Sequence, residues 1–433
     1  MSLETIGFLG ILAMFLLMFL RVPIAIAMAV PAFIGILYVR EWKVLSTAIE
    51  TIVWDHSFNY TLSTIPMFVL MGELLFVSGV SQELFATFRY WFGKLRGGLA
   101  MAAIGASAIF AAASGSSLAT TGTMGVISSK EMLEQKYNKA LIGGSIVAGG
   151  TLGILIPPST IFIIYGMLTE QSIGKLLIAG IIPGIILTTL YILTVAVAVK
   201  IRPDLAPKGE GSSWKERIVS LRHTGWILVL FIVVIGGMYV GLFSPTEAAG
   251  IGAFGAFIIA LARRKLTFQK FVESMNRTLR TTGFLFAIIL AAFILNYFLA
   301  ITRVPLLLAN FLADTTMPPL LILCSIVVLY VLLGAVMDSL AMIVVTIPII
   351  LPVIQALGYD LIWFGVLIVI VVEMALISPP VGMNCFVLNG VAPQLRLEEI
   401  FKGALWFMIP LLVMITLLIA FPEIALFLPN RMM

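Results

Sequence analysis

Long apolar segments that carry almost no charge constrain this chain more than any other feature. The segment from Ile227 to Phe243 is uncharged, and the segment from Phe364 to Ile377 contains one charged residue, Glu373. With its flanks, each approaches the ~20 residues that a helix needs to cross a bilayer. Of the 433 residues, 61% are hydrophobic and 11% are charged. A water-soluble domain cannot cover that much apolar surface, so the sequence predicts an all-α, polytopic membrane protein.

Breaks in the middle of two apolar segments predict re-entrant hairpins. Twelve apolar segments can be distinguished, and two of them are interrupted halfway along by small and polar residues: the segment at about 100–127, within a predicted hairpin at about 100–134, and the segment at about 318–352. Irregular backbone is tolerated at membrane depth only where protein or a wet cavity satisfies its polar groups. We therefore expect two hairpins that each enter and leave on one side of the membrane, together with ten membrane crossings.

The distribution of basic residues predicts the orientation of the chain. If both termini lie outside, 21 of the 26 lysines and arginines fall in cytoplasmic segments, as the positive-inside rule requires. A linker at 200–224 then lies in the cytoplasm. The net charge of +5 is spread over short loops rather than gathered on one polar face, so no nucleic-acid partner is expected.

An offset of 222 residues (245 − 23) aligns the two halves of the chain. It places Pro23 on Pro245, 113–119 on 335–341, and Pro157–Pro158 on Pro379–Pro380. Such internal similarity indicates duplication. Each half holds five predicted crossings, an odd number, so the second copy must be inverted, and inverted repeats with broken helices are typical of secondary transporters. The expected organisation is a first repeat at 1–199, the linker at 200–224 and a second repeat at 225–433.

The interrupted hairpins carry polar groups where hydrocarbon is expected. Ser114, Ser116 and Ser117 offer hydroxyls at the first tip, and a hard cation such as sodium prefers several oxygen ligands. Close helix packing is the alternative, because small residues are common at membrane helix contacts. The second tip carries Asp338. A carboxylate in the membrane is costly and predicts a role in ion or solute binding, although capping of a helix is possible.

Two further segments contain paired prolines beside small polar residues, at 153–160 and 377–384. Proline removes a backbone donor and breaks a helix, and the half-helix that follows presents free N–H groups suited to an anion. No lysine or arginine falls in the membrane portions of the hairpins or in these breaks. We therefore expect an anion to be balanced by sodium, N–H groups and hydroxyls, with Glu73 and Glu373 as weaker candidates.

Chemistry of other kinds finds little support in the sequence. Cys324 and Cys385 lack metal-ligand spacing, and the two histidines, His56 and His223, fall in predicted loops. No nucleophile motif is present. We therefore expect a protein that is not an enzyme, with no cofactor and no transition metal. A passive channel is a further alternative, although paired broken helices suit an occluded site better than an open pore.

The chain resembles the large membrane subunit of the tripartite ATP-independent periplasmic (TRAP) transporters, the DctM-like family, over nearly its full length. The resemblance rests on several motifs together: ASGSSLATTGTMG at 113–125, GTLGILIPPS at 150–159, SPTEAAGIGA at 244–253, GAVMDSLA at 334–341, PIILP at 348–352 and ISPPVGMNCFVLNG at 377–390. It implies a sodium-driven importer of organic anions, such as C4-dicarboxylates or sialic acid, in the bacterial inner membrane. It also implies an elevator mechanism, a four-helix small membrane subunit and a periplasmic substrate-binding protein as partners.

The resemblance also implies roles for particular residues. The substrate region would contain Ser116, Ser159 and Asp338, with Ser172 in a TEQSIGKL stretch as a weaker candidate. The sodium sites would draw on the hairpin tips and the loops around the paired prolines, that is, on Ser114, Ser117, Gly153, Pro157, Gly334, Ser378, Pro379 and Asn384. A stand-alone sodium/dicarboxylate symporter with two similar hairpins is the alternative that needs neither partner.

Overall fold

The computed structural model describes residues 1–209, 211–313, 317–334 and 337–432, and these residues form helices and connecting segments without a β-strand. The prediction of an all-α protein is therefore confirmed. Ala335 and Val336, which the sequence aligns with the first hairpin tip, lie outside the described residues. The same holds for Glu210 within the predicted linker.

The first half of the chain contains eleven α-helices among its described residues. In chain order they are α1 Leu3–Phe19, α2 Ile24–Val39, α3 Trp42–Ser57, α4 Thr64–Val77, α5 Val80–Phe92, α6 Gly98–Ser114, α7 Ser117–Glu134, α8 Lys139–Thr151, α9 Thr160–Thr169, α10 Ile173–Ala179 and α11 Ile181–Ile201.

The second half contains ten α-helices among its described residues. They are α12 Trp214–Tyr239, α13 Pro245–Ala262, α14 Phe268–Thr302, α15 Val304–Ala313, α16 Pro319–Leu333, α17 Ser339–Ala356, α18 Leu361–Ile377, α19 Met383–Val391, α20 Leu397–Ala420 and α21 Glu423–Leu426.

Helix bounds recur between the two halves at the offset of the motifs. Helices α7 and α17 correspond at both ends, because 339 − 117 and 356 − 134 are both 222. Helices α9 and α19 end at corresponding residues, Thr169 and Val391. Similar local sequence therefore produces the same order of helix and break twice. The assignment of 1–199, 200–224 and 225–433 as units stays a prediction.

Six helical spans in the described part of the chain are long and apolar enough to cross a bilayer. They are Tyr60–Val77, Ile173–Ile201, Pro245–Ala262, Phe268–Thr302, Ser339–Ala356 and Leu397–Ala420, and a bent pair within Trp214–Tyr239 can make a seventh. Shorter apolar helices, including α6, α9, α16 and α18, accompany them. The protein is therefore a multi-pass membrane protein, and the expected ten crossings stay a prediction.

Both predicted hairpins consist of two helices separated by a short break. Helix α6 ends at Ser114 and α7 begins at Ser117, and the two helices pack together. In the second hairpin, a hydrogen bond between the hydroxyls of Tyr330 and Thr346 joins α16 to α17. Each second helix starts with a side-chain cap, from Ser116 in α7 and from Asp338 in α17. Caps at helix starts satisfy N–H groups that have no partner within the helix.

Small residues allow the helices behind the first hairpin to approach closely. A Cβ atom at Gly144 of α8 would lie 2.6 Å from the carbonyl oxygen of Gly403 in α20, and a Cβ at Gly149 would lie 2.6 Å from the Ser107 hydroxyl of α6. Helices in lipid associate through such close contacts rather than through the hydrophobic effect. Helix α8 is thereby fixed between α6 and α20, which positions the break that follows it.

Candidate functional site

A cavity of about 530 Å³ lies between the hairpins and two further helices, α4 and α14. Its walls come from the tip of the first hairpin, the start of α17, the first helix break and the facing sides of α4 and α14. The polar residues lining it are Glu73, Ser114, Ser116, Ser117, Thr123, Thr160, Arg277, Thr281, Asp338 and Ser339. The structure therefore brings Ser114, Ser116, Ser117 and Asp338, predicted from separate halves of the sequence, to one cavity.

The first hairpin tip turns at Gly115, whose φ of +59° lies in the left-handed region that favours glycine. The Ser114 Oγ lies 2.6 Å from the Thr120 Oγ1. The Ser116 Oγ accepts a bond from the Ala119 N–H at 3.4 Å, and the Ser116 carbonyl accepts from the Thr120 hydroxyl at 2.9 Å. The tip is thus a compact group of oxygen atoms at the cavity wall.

Asp338 both caps a helix and lines the cavity. Its Oδ1 accepts a hydrogen bond from the Ala341 N–H at 2.7 Å, which caps α17. The side chain is partly buried and faces the same cavity as Ser116. Ser116 and Asp338 are equivalent at the repeat offset, because 338 − 116 is 222. The caps of the two corresponding helices, α7 and α17, therefore line the same cavity. Helix capping was the sequence-based alternative to a binding role for Asp338, and the structure shows that Asp338 both caps α17 and lines the cavity.

The first helix break packs directly on the first hairpin tip. The Thr160 hydroxyl donates to the Gly115 carbonyl at 3.1 Å. A Cβ at Gly153 would lie 2.6 Å from the Ser116 carbonyl oxygen, so only glycine allows this contact. Pro157 is buried within the break. The first helix break and the first hairpin tip therefore fix each other's backbone position.

Ser159 lies beside the cavity rather than in its lining. It is fully buried, its hydroxyl donates to the Ile154 carbonyl at 2.6 Å, and it caps α9 by accepting from the Phe162 N–H at 3.4 Å. The next residue, Thr160, supplies the lining side chain instead. Local capping therefore accounts for the hydroxyl of Ser159 in this conformation.

The second helix break lies outside the cavity lining. Pro379 is exposed, and the Ser378 hydroxyl donates to the Ala375 carbonyl at 3.1 Å. Gly334 packs so closely on α18 that a Cβ there would lie 2.1 Å from the Ala375 Cβ. Asn384 is fully buried, and its side chain has no hydrogen-bond partner among the described residues. Buried amides are normally hydrogen-bonded. The Oδ1 and Nδ2 of Asn384 are therefore available to bind an ion or a solute.

Glu373 is a fully buried carboxyl that connects three elements. The Ser117 Oγ of α7 lies 3.0 and 2.8 Å from its two oxygens and 3.0 Å from the Gly150 carbonyl of α8. From the sequence, Glu373 was only a weaker site candidate. Its position as the one charged residue in an apolar segment could have indicated a functional or structural role. Glu373 joins the first hairpin to the second half of the chain.

Replacing Ser117 by alanine is expected to destabilise the protein by about 1–3 kcal/mol, because it leaves a buried carboxyl without its hydroxyl partner. The measurement is the melting temperature of the purified protein. Ser128→Ala is the matched control, since Ser128 lies buried on the same helix and its hydroxyl donates to the Met124 carbonyl of that helix. Equal losses for the two variants would contradict a special role for the contact with Glu373.

The wall formed by α4 and α14 contains two charged residues, of which the sequence proposed only Glu73 as a weaker candidate. Arg277 of α14 and Glu73 of α4 both line the cavity, with 3.8 Å between Arg277 Nη1 and Glu73 Oε2. The expectation that an anion is balanced without a basic side chain considered only the hairpins and breaks, whereas Arg277 of α14 lines the same cavity as both hairpin tips. Sequence spacing could not show that α14 faces the hairpins.

Ser172 lies in a different place. It caps α10 and lines a separate depression with His56, Glu170 and Phe293. We expect Ser172→Ala to leave the rate of solute uptake within about twofold of wild type, because Ser172 lies outside the cavity lining. Loss of the cap is expected to lower stability instead, by about 0.5–2 kcal/mol. Uptake into proteoliposomes measures the rate. A loss as large as that caused by a change at Ser116 would return Ser172 to the site.

Comparison with known proteins identifies the family. The sequence-family model for the DctM component of the tripartite ATP-independent periplasmic transporters matches residues 11–424 of this chain. This chain belongs to the DctM family. The predicted resemblance is thereby confirmed, and DctM-family chains are large permease subunits of multi-pass transporters in the inner membrane.

Individual relatives agree with this assignment. The chain is 34% identical over 389 residues to the C4-dicarboxylate TRAP transporter large permease protein DctM of Pseudomonas aeruginosa, covering 90% of each chain. It is 31% identical over 374 residues to the sialic acid TRAP transporter large permease protein SiaM of Vibrio cholerae, covering 86% of this chain and 87% of the relative. These relatives are transport proteins, so the family places this chain among permeases.

Solved structures show a related fold at low sequence identity. The YdaH transporter of Alcanivorax borkumensis superposes with a TM-score of 0.68 at 16% identity, covering 89% of this chain and 90% of that one. MtrF of Neisseria gonorrhoeae gives a TM-score of 0.59 at 12% identity, covering 87% and 83%. The DctM-family fold of this chain therefore belongs among known transporter architectures.

Proposed function

We propose that this chain is the large permease subunit of a sodium-coupled importer of small organic anions. In this proposal it receives solute from a periplasmic binding protein and works with a four-helix small membrane subunit. The observation that carries the proposal is the single cavity shared by Ser116 and Asp338, the caps of two equivalent helices. Membrane-buried polar groups gathered at such breaks are typical of solute and ion sites in secondary transporters.

Sodium coupling is supported by the chemistry of the breaks. Hydroxyl, carbonyl and carboxylate oxygens are the ligands that a hard cation prefers, and the first tip provides Ser114 and Ser117 beside the backbone of Gly153 and Pro157. In the second half, Gly334, Ser378, Pro379 and Asn384 are the proposed counterparts. The buried Asn384 amide, which lacks a described partner, is the strongest of these, since an ion would satisfy its oxygen.

An anionic solute is supported by the names of relatives. They include transporters of C4-dicarboxylate, of sialic acid and, in Oleidesulfovibrio alaskensis, of isethionate at 31% identity. These compounds share a carboxylate or sulfonate group on a small polar skeleton. The N-terminus of α7 at the cavity is capped by the neutral Ser116 and has a positive dipole end, which favours an anion. We propose a carboxylate or sulfonate as the cargo.

We propose an elevator mechanism in which the hairpins and broken helices move as one body against a scaffold that includes α4 and α14. Two contacts support a single moving body: Thr160 joins the first break to the first tip, and Ser117 joins that tip to Glu373 of α18. The cavity lies between this body and the scaffold. A neighbouring depression with Lys265 and Lys270 shares Arg277 with the cavity, and its position on the predicted cytoplasmic side supports an inward-open conformation.

Reconstitution tests the proposal. The chain is placed in proteoliposomes with its small subunit, candidate binding proteins, a sodium gradient and labelled C4-dicarboxylate, sialic acid or isethionate. We expect saturable uptake of one anion that requires both the sodium gradient and a binding protein. Uptake that needs neither partner would favour the stand-alone symporter, and sodium-independent, nonsaturating flux would favour a channel.

A further inference from the structure

The scaffold wall of the cavity contains a loosely joined pair of charges. Arg277 Nη1 and Glu73 Oε2 are 3.8 Å apart, which is beyond hydrogen-bond distance. The Glu73 Oε2 is buried and has no hydrogen-bond partner among the described residues. The Arg277 side chain is 56% exposed. The pair therefore lacks the bidentate geometry of a closed arginine–carboxylate contact.

Arg277 is available to a ligand in this arrangement. Among the described residues that line the cavity it is the only basic one, and the cavity's two carboxylates are Glu73 and Asp338. A guanidinium is planar and always charged, and it presents a fork of donors that matches a carboxylate or sulfonate. An anion in the cavity could therefore replace Glu73 as the closer partner of Arg277.

The position of Arg277 on the scaffold determines the step of the transport cycle at which it can contact the anion. Arg277 is carried by α14 and Glu73 by α4, whereas Ser116 and Asp338 belong to the hairpins. In the proposed elevator, a group on the scaffold meets the solute only when the hairpins bring it to that level. Competition from Glu73 lowers the affinity of Arg277 for the anion, which favours departure over retention.

We infer that Arg277 is a specificity-determining residue that receives the anionic group of the solute from the hairpins, and that Glu73 is the competing carboxylate that takes Arg277 back once the solute has left. The inference rests on the proposed function and adds to it a recognition element for carboxylate or sulfonate on the scaffold side. A neutral analogue of the solute lacks the group that displaces Glu73, so the pair selects for charge.

Four variants test the inference in the reconstituted complex: Arg277→Gln, Arg277→Lys, Glu73→Gln and the double variant Glu73→Gln/Arg277→Gln. For the labelled anion that the wild type transports, we expect Arg277→Gln to lower kcat/KM at least tenfold, mainly through KM, and Arg277→Lys to recover part of the loss. The double variant is expected to stay as impaired as Arg277→Gln. Arg280→Gln is the matched control, since Arg280 is exposed on the same helix outside the cavity lining.

The double variant separates recognition from a structural ion pair. If the two charges only stabilise each other, removing both leaves no uncompensated charge, and recovery of uptake to the wild-type level would overturn the inference. Wild-type kinetics for Arg277→Gln would overturn it as well.

A binding measurement adds a second readout. The melting temperature of the purified complex is measured with succinate, sialic acid or isethionate, and separately with sodium chloride. We expect Arg277→Gln to lose the stabilisation by the transported anion and to keep the stabilisation by sodium. Loss of both would indicate general damage and count against a recognition role. If the wild type transports none of the three anions, the proposed function fails and the inference fails with it. Normal wild-type uptake with an unimpaired Arg277→Gln variant removes the inference alone.

Discussion

Asp338→Asn is expected to reduce sodium-driven uptake about a hundredfold while leaving the fold intact. Asparagine caps a helix as well as aspartate does, so the bond from the Ala341 N–H can persist. The substitution removes the negative charge that faces the cavity. A bond to a charged group contributes about 1.5–3 kcal/mol, and loss of such a contact from the ion or the solute accounts for the expected reduction.

The measurement is sodium-dependent uptake in proteoliposomes, accompanied by the melting temperature of each variant. Asp360→Asn is the matched control, because Asp360 also caps a helix, accepting bonds from the N–H groups of Ile362 and Trp363, and does not line the cavity. We expect near-normal uptake for that control. Equal uptake by Asp338→Asn and wild type would remove the Asp338 charge from the mechanism.

Gly153→Ala is expected to reduce uptake by a similar factor for a different reason. The added Cβ would lie 2.6 Å from the Ser116 carbonyl oxygen, 2.7 Å from its carbon and 2.8 Å from the Ser117 nitrogen. All three are backbone atoms, so the contact is relieved only by moving the hairpin tip. A shift of about 1 Å in a positioned group can lower a rate about 100-fold.

Uptake and sodium-dependent stabilisation measure this effect together, since displacement of the tip should weaken both. Gly390→Ala is the control, because a Cβ at Gly390 on α19 meets no atom within 4 Å. The reverse outcome, with normal uptake in Gly153→Ala and loss in Gly390→Ala, would contradict the packing of break on tip described above.

Much of the fold was predictable because its determinants are local. Uncharged apolar runs predict the spans, and small polar residues at 114–117 and around Asp338 predict the hairpin breaks. The offset of 222 residues relates helices that the structure shows with matching bounds, such as α7 and α17. Polar residues within hydrocarbon are few, so the sequence could identify Ser116 and Asp338 as candidates before any contact was known.

The remaining features depend on which helix faces which. Arg277 reads in the sequence as one of several basic residues in a cytoplasmic segment, and only the packing of α14 beside α4 and α17 brings it to the cavity. Ser159 and Ser172 cap helices as Ser116 does, yet they lie outside the cavity lining. Capping and binding draw on the same residue types, so composition alone cannot separate them.

The caps Ser116 and Asp338 begin two helices with corresponding bounds and give them different electrostatics. One helix start meets the cavity with a neutral hydroxyl and the other with a carboxylate, so the correspondence between the two helices does not extend to the electrostatic field between them. An elongated molecule with one negative end and one uncharged end is therefore expected to lie in a single orientation, its negative end toward α7. Gene duplication would supply the paired geometry, and one later substitution would supply the direction.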